Sequence, residues 1–155
     1  MVWEELDKSL IVPEMEAKTY EDVMKKLGGL LVEEGYVKTD YPEALINREK
    51  EFPTGLDVDG VGVAIPHTDV RYVNKAGTAI AVLKQSVPFV QMGTDDEQVD
   101  VTLIFMLAVV NPTTHIEQLQ RIVQIIQDKE VLKQIMNEKN AEKIIEIIKE
   151  KEKSL

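Results

Sequence analysis

The sequence predicts an α/β sandwich, in which a central β-sheet is covered by helices on both faces. Short apolar segments bounded by Gly, Pro and Asn occupy the middle of the chain, and amphipathic segments with a helical period lie before and after them. Because the middle segments are almost continuously apolar, we expect their strands to be buried on both faces. The 155 residues, 44% of them hydrophobic, suit one ordinary core, so we expect a single domain spanning residues 1–155.

Two helices are predicted before the strands. Apolar residues recur on one helical face after Thr19, which can cap a helix, and this pattern ends at Gly35. A second helix is expected to begin near Asp40, with Pro42 in its first turn, and to end before Pro53.

Three strands follow, in the segments Val61–Ile65, Thr78–Leu83 and Val99–Val110. The third is the longest and is rich in β-branched and apolar residues. It is therefore the best candidate for the centre of the sheet, although the strand order cannot be derived from the pattern.

The helical period returns after Asn111-Pro112 and predicts three further helices. The first has a capping box that begins at Thr114, and the other two are capped by Asp128 and Asn140. The Lys-rich end, 149–153, suits a helix C-terminus and is expected to fray.

Composition excludes several kinds of chemistry. Acidic residues outnumber basic ones by 28 to 18, and the formal charge of -10 disfavours nucleic acid and anionic membranes as partners. It favours a partner with a basic face, or it only keeps the protein in solution. The absence of cysteine excludes disulfides, thiolate nucleophiles and Cys-based zinc sites.

No segment approaches the ~20 apolar residues of a membrane span. The first residues also lack a basic flank followed by an apolar run, so nothing resembles a signal peptide. We therefore expect a cytoplasmic protein without direct membrane insertion.

The chain contains only two histidines, His67 and His115, and both follow proline-containing strand exits. If the two strands are neighbours that leave the sheet at one edge, the imidazoles converge, although their spacing does not require it. The alternative for each is an ordinary surface or hydrogen-bonded histidine. His115 is expected near the start of a capped helix, where free N–H groups and the dipole favour an anion such as phosphate. The same dipole favours a neutral His115.

Arg48 lies in the segment 48–56, which joins the second helix to the first strand and contains Pro53-Thr54-Gly55. A guanidinium binds phosphate through two parallel hydrogen bonds, which lysine cannot do. The alternative, favoured by composition alone, is a solvated arginine that pairs with Glu49 or Glu51.

These motifs, in this order, resemble the cytoplasmic enzyme IIA (EIIA) components of the bacterial sugar phosphotransferase system, of the fructose, mannitol and galactitol type. The galactitol branch is the most similar. The resemblance rests on Arg48-Glu49 leading to Pro53-Thr54-Gly55, on Ala64-Ile65-Pro66-His67, and on Asn111-Pro112 followed by His115 and an amphipathic helix. It extends from about Thr19 to Ile148.

The resemblance implies a phosphotransferase with a phosphohistidine at His67, a second active-site histidine at His115, and Arg48 as a phosphate-stabilising group. The phosphoryl group would come from the phosphocarrier protein HPr and pass to a cysteine of a cognate IIB component. IIB would then phosphorylate a galactitol-like sugar that enters through the membrane-embedded IIC. The implied fold is a mixed sheet flanked by helices, and no metal or other cofactor is expected.

Three alternatives are open. The first is a metal site with His67, Asp69 and His115 as ligands, although this spacing fits no common metal motif. The second is a regulatory module, phosphorylated on the same histidine, that controls a sensor, a kinase or a channel. The third is a binding domain without chemistry, which leaves Arg48 and the two histidines unexplained.

Overall fold

A computed structural model describes residues 1–155, which form five strands, five α-helices and three short 3-10 helices. Two of the 3-10 helices precede the first strand, and the third lies between the third and fourth strands. The strands are β1 (Ile11–Met15), β2 (Gly55–Val58), β3 (Val61–Ala64), β4 (Gly77–Val90) and β5 (Gln98–Ala108). The helices are α1 (Tyr20–Glu33), α2 (Tyr41–Glu51), α3 (Pro112–Ile126), α4 (Lys129–Asn137) and α5 (Ala141–Lys153). None of them is both long enough and apolar enough to span a lipid bilayer.

The strands form one mixed sheet in the order β1-β4-β5-β3-β2. β5 lies at its centre, as the apolar pattern predicts. It pairs antiparallel with β4 and parallel with β3, while β1 is parallel to β4 and β2 is antiparallel to β3. The structure confirms an α/β fold with a mixed sheet.

Two strands, β1 and β2, lie at the edges of the sheet and were not predicted. Pro13 and Glu14 interrupt the first, and Asp57 interrupts the second, so neither presents a clear apolar run. β4 is also longer than expected, because it continues past the exposed segment 84–86 to Val90. The pairing of β4 with β5 shifts register at that segment.

Each face of the sheet carries its own apolar core. Ala79 and Ala81 of β4 pack with residues of α1 and α2, whereas the alternate residues, Ile80 and Val82, pack with residues of α3, α4 and α5. The helices therefore cover both faces, as the sequence predicts.

Two predictions about helix ends are wrong. α3 begins at Pro112 and is capped by Asn111, whose side chain accepts the N–H groups of Thr113 and Thr114, so no capping box begins at Thr114. The end of α5 does not fray, because the carboxylate of Glu152 is buried and accepts backbone N–H groups from residues 2 and 3, at 3.1 and 2.7 Å.

The sheet positions the two histidine loops. β3 and β5 are parallel neighbours, so both end at the same edge, and His67 and α3 follow these two ends. A further hydrogen bond, from the N–H of Leu107 to the carbonyl of Pro66 (2.9 Å), joins the loop after β3 to β5. The edge thereby brings together loops that lie far apart in the sequence.

Candidate functional site

The imidazoles of His67 and His115 meet at this edge of the sheet. Their ring centroids are 4.9 Å apart and the rings are inclined by 50°. Together with Arg48 they line an open cleft of about 200 Å³, whose walls also include residues 68–70 and Pro112. The structure therefore brings together all three residues that the sequence singled out.

The backbone holds His67 in one tautomer. Its Nδ1 atom lies 3.0 Å from the carbonyl oxygen of Ile65. Because a carbonyl only accepts, Nδ1 carries the proton and Nε2 carries a lone pair. Burial lowers the pKa of His67 below its usual 6.5, and the charge of Arg48 lowers it further. The Nε2 atom has no hydrogen-bond partner in the protein and is not buried. It is therefore accessible as a neutral nucleophile.

His115 is oriented in the opposite sense. It is the fourth residue of α3, its Nδ1 atom is buried without a hydrogen-bond partner, and its Nε2 atom is accessible. Burial lowers the pKa of His115, and the neighbouring His67 and Arg48 add to the effect. The lowered pKa favours the neutral form of His115, which is also the form that the sequence predicts.

Arg48 stands at the end of α2 with its guanidinium 4.5 Å from the ring centroid of Phe52. It forms no ion pair with a carboxylate. The alternative of a pair with Glu49 or Glu51 is thus not found. The guanidinium stacks on an aromatic ring beside the cleft and keeps its N–H groups for an anion.

Glu49 and Thr54 form a buried pair that sequence reasoning missed. The Glu49 carboxylate accepts the backbone N–H of Thr54 at 2.7 Å and its hydroxyl at 2.9 Å, and only 6% of Glu49 is exposed. Burial raises the pKa of Glu49 to about 7 despite these hydrogen bonds. The pair closes the turn that carries Phe52, and the Arg-Glu and Pro-Thr-Gly motifs were its only sequence signal.

The start of α3 does not offer the free N–H groups that the sequence suggested. Pro112 has none, and the side chain of Asn111 accepts those of Thr113 (2.9 Å) and Thr114 (3.4 Å). The N–H of His115 bonds to the Asn111 carbonyl. The prediction that this helix end holds an anion through its backbone is therefore wrong. The N–H groups of residues 67–69, by contrast, donate to no protein atom.

Asp69, the third ligand of the metal alternative, borders the same cleft but forms no metal-binding group with the histidines. Asp69 is exposed and caps a short 3-10 helix by accepting the N–H of Arg71 at 2.9 Å. No group of three His, Cys, Asp or Glu side chains is arranged to hold a metal ion.

Exposed apolar side chains surround the histidines. Phe52 and Met92 line a second hollow, about 370 Å³, that adjoins His67, and Ile116 follows His115 directly. These three side chains are 55%, 42% and 59% exposed. Apolar groups that cluster around a reactive site on the surface are typical of a protein docking face. The arrangement suits transfer of an anionic group between proteins.

Comparison with known proteins agrees with this chemistry. Residues 4–151 match the family described as "Phosphoenolpyruvate-dependent sugar phosphotransferase system, EIIA 2". The galactitol-specific EIIA component of Escherichia coli is 29% identical over 115 residues, which is 74% of this chain and 76% of that protein. The fructose-specific EIIABC component of Bacillus subtilis is 30% identical over 156 residues, which is 98% of this chain and 24% of that protein.

A solved structure with a similar fold belongs to the nitrogen regulatory protein IIA-Ntr of Neisseria meningitidis. It is 30% identical to this chain, with a TM-score of 0.75, and the likeness covers 95% of this chain and 98% of that one.

Proposed function

The chain belongs to the EIIA type 2 family of the phosphoenolpyruvate-dependent sugar phosphotransferase system, and on this premise we propose that His67 is its phosphorylated residue. It accepts a phosphoryl group from HPr and donates it to a cysteine of a cognate IIB component. Residues 1–155 act as one domain in the cytoplasm and serve the uptake of a galactitol-like sugar through IIC.

The tautomer of His67 carries this proposal. With its proton on Nδ1, bonded to the Ile65 carbonyl, His67 presents the Nε2 lone pair to the cleft. The lone pair attacks the phosphorus of the donor, so that an N–P bond forms as the donor's bond to phosphorus breaks and the leaving group keeps the electron pair. In the second step the thiolate of IIB attacks the same phosphorus, and the electron pair returns to Nε2.

Arg48 and His115 are the groups placed to neutralise the phosphoryl oxygens. The guanidinium of Arg48 has no carboxylate partner and borders the same cleft. His115 lies 4.9 Å from His67 between ring centroids, so a proton on its accessible Nε2 reaches an oxygen of a group bound to His67. Such fixed donors act mainly in the transition state, where charge spreads over the equatorial oxygens.

The surface around the histidines suits partners that dock in turn. Phe52, Met92 and Ile116 supply exposed apolar contacts close to the cleft. HPr and IIB must both reach the same Nε2 atom, so neither can stay bound. We therefore expect small interfaces with short lifetimes.

The test is phosphorylation by phosphoenolpyruvate, enzyme I and HPr, followed by mass measurement of the intact chain. The wild type should gain one phosphoryl group that is labile in acid and stable in base. His67→Ala should gain none and should unfold at the same temperature within a few degrees, because His67 is only partly buried. Unchanged phosphorylation of the variant would refute the assignment.

A second candidate, a regulatory module phosphorylated on the same histidine, is favoured by the 30% identity to a nitrogen regulatory protein. Its targets would be a sensor, a kinase or a channel. The discriminating experiment adds the cognate IIB to the phosphorylated chain. Transfer to the IIB cysteine supports transport, as do neighbouring IIB and IIC genes. Failure of transfer, together with binding of a partner that depends on phosphorylation, supports regulation.

A further inference from the structure

Two buried polar atoms lack a partner, and they belong to residues that line the same cavity. These atoms are the hydroxyl oxygen of Thr78 and Nδ1 of His115, the only buried side-chain nitrogen or oxygen atoms without a hydrogen bond. Both residues line one cavity of about 80 Å³ beneath the first turn of α3. Buried polar atoms in folded proteins are normally paired, so this coincidence requires a physical explanation.

Strand register explains how Thr78 comes to lie there. Thr78 pairs with Leu107 across the two central strands, and its alternate neighbours Ile80 and Val82 face the core beneath α3, α4 and α5. Thr78 is fully buried on that same face. Valine has the same shape without a hydroxyl, so Thr78→Val tests whether the hydroxyl has a polar role.

We propose that one water molecule in this cavity joins the hydroxyl of Thr78 to His115 Nδ1, and that this bridge fixes the proton of His115 on Nε2. A cavity of about 80 Å³ exceeds the volume that one water molecule requires. Thr78 is a positioning residue, because it acts on the phosphoryl group only through His115. The inference depends on the proposed function in one respect only, namely the phosphoryl group to which Nε2 of His115 would donate.

The count of hydrogens decides the tautomer. A water that accepts from the Thr78 hydroxyl and donates to Nδ1 bonds the hydroxyl hydrogen and one of its own hydrogens. If Nδ1 carried the proton, the water would accept from both groups, and both of its hydrogens would need other acceptors in the cavity.

Glu5 offers the competing arrangement. Its carboxylate lines the same cavity and accepts the side-chain N–H of Gln118 at 2.7 Å. Glu5 is half-buried, and this burial raises the pKa of its carboxyl. A carboxylate partner would require Nδ1 to donate, and the proton of His115 would then lie on Nδ1. The two arrangements thus predict opposite tautomers.

The proposed tautomer complements that of His67. The Ile65 carbonyl holds the proton of His67 on Nδ1 and leaves a lone pair on Nε2. Thr78 holds the proton of His115 on Nε2. The cleft is then bordered by one nucleophilic nitrogen and one N–H donor, which is the pair that phosphoryl transfer needs.

The test is long-range proton–nitrogen NMR of the unphosphorylated, ¹⁵N-labelled full chain, which contains only two histidines. The spectrum of His67→Ala assigns the signals. Wild type and Thr78→Ser should show His115 with its proton on Nε2, whereas Thr78→Val should show a mixture of tautomers. A proton on Nδ1 of His115 in the wild type, or an unchanged signature in Thr78→Val, would overturn the proposal. If Thr78→Val does not fold, the spectra of the wild type and Thr78→Ser decide.

Thr102→Val is the matched control. Thr102 also lies in the sheet and its hydroxyl contacts the Met136 sulfur at 3.3 Å, but it precedes Leu107 on β5 by about 16 Å of strand. The same chemical change there should leave both histidine signatures unaltered. A similar loss of the His115 tautomer in this control would show a general effect of sheet packing and would refute a specific role of Thr78.

Transfer rates provide a second, separate measurement. Thr78→Val should slow transfer from phosphorylated His67 to IIB by about five-fold, because the loss of one net hydrogen bond changes the ratio of the His115 tautomers by about that factor. Thr78→Ser should restore the rate. An unchanged rate in a variant with mixed tautomers would refute the link to transfer. If the wild type takes up no phosphate, the proposed function fails, while the NMR result still judges the pairing of Thr78 with His115.

Discussion

Replacing the buried Glu49 with glutamine should change how stability depends on pH. Burial raises the pKa of Glu49 from 4.5 to about 7 in the folded protein, whereas the unfolded chain exposes the same carboxyl to water. Between these two values the folded protein keeps the proton and the unfolded chain releases it. The stabilising contribution is therefore complete below pH 4.5 and is lost as the pH rises through 7.

The magnitude follows from the same two values. Their separation corresponds to about 3 kcal/mol in the free energy of unfolding, at about 1.4 kcal/mol per pH unit. Little solvent screening is expected, because Glu49 is only 6% exposed. The pKa values of His67 and His115 are lowered, so these residues favour the folded state as the pH rises and act in the opposite direction.

The assay is urea unfolding of the wild type and Glu49→Gln at several pH values from about 4.5 to 7.5. The histidine contributions are common to both proteins and cancel in the difference between the two curves. The free energy of unfolding of the wild type minus that of Glu49→Gln should fall by about 3 kcal/mol as the pH rises across this range. Glu51→Gln, an exposed position two residues further along α2, is the matched control and should run parallel to the wild type. Parallel curves for Glu49→Gln would refute the reasoning.

Two further predictions concern transfer. Arg48→Lys keeps the charge but loses the two-pronged contact, so single-turnover loading from phosphorylated HPr should slow by ~10- to 100-fold; an unchanged rate would make Arg48 a solvated surface residue. His115→Ala should still load phosphate on His67, but transfer to IIB should fall by ~100-fold, with partial rescue by asparagine, which donates without titrating. Loading blocked as completely as in His67→Ala would show that the two histidines do not have the assigned roles.

The sequence predicted the parts of the fold that depend on local pattern. The long apolar run at 99–110 indicated the central strand because a strand buried on both faces carries few polar residues. The edge strands β1 and β2 could not be predicted, since they contain proline or charged residues and their pairing depends on distant neighbours. The meeting of His67 and His115 required the parallel pairing of β3 with β5, which the spacing allowed but did not fix.

Two errors have particular physical causes. Both Asn111 and Thr114 can cap a helix, but Pro112 suits the first helical position, and this places the cap at Asn111. The sequence offers Glu49 or Glu51 as the partner of a solvated Arg48, because nothing local shows that Glu49 is buried against Thr54. Thr78 likewise looked like an ordinary residue of an apolar strand. The polar role that we propose for Thr78 depends on His115, which lies on a different element.

The cap on α3 determines how the charge of a phosphoryl group is balanced. Asn111 occupies the N–H groups at that helix end, so the remaining dipole effect is worth about 0.3–1 kcal/mol. A unit negative charge at 4.9 Å, the distance between the two ring centroids, attracts a protonated His115 by about 0.8 kcal/mol at the dielectric constant of water. At an effective value of 20 the interaction is about 3.4 kcal/mol.

A phosphoryl group carries up to two negative charges, which increase both contributions alike. A charged His115 therefore outweighs the helix end at the effective value of 20 and is comparable to it at the dielectric constant of water. A phosphoryl group on His67, as proposed, would raise the pKa of His115, because its negative charge stabilises the imidazolium. A hydroxyl and a water can each accept as well as donate, so the proposed bridge from Thr78 would also pair with Nδ1 of the charged form after rotating. His115 would then donate from Nε2 in both forms, and His115→Ala should slow transfer more than removal of the Asn111 cap.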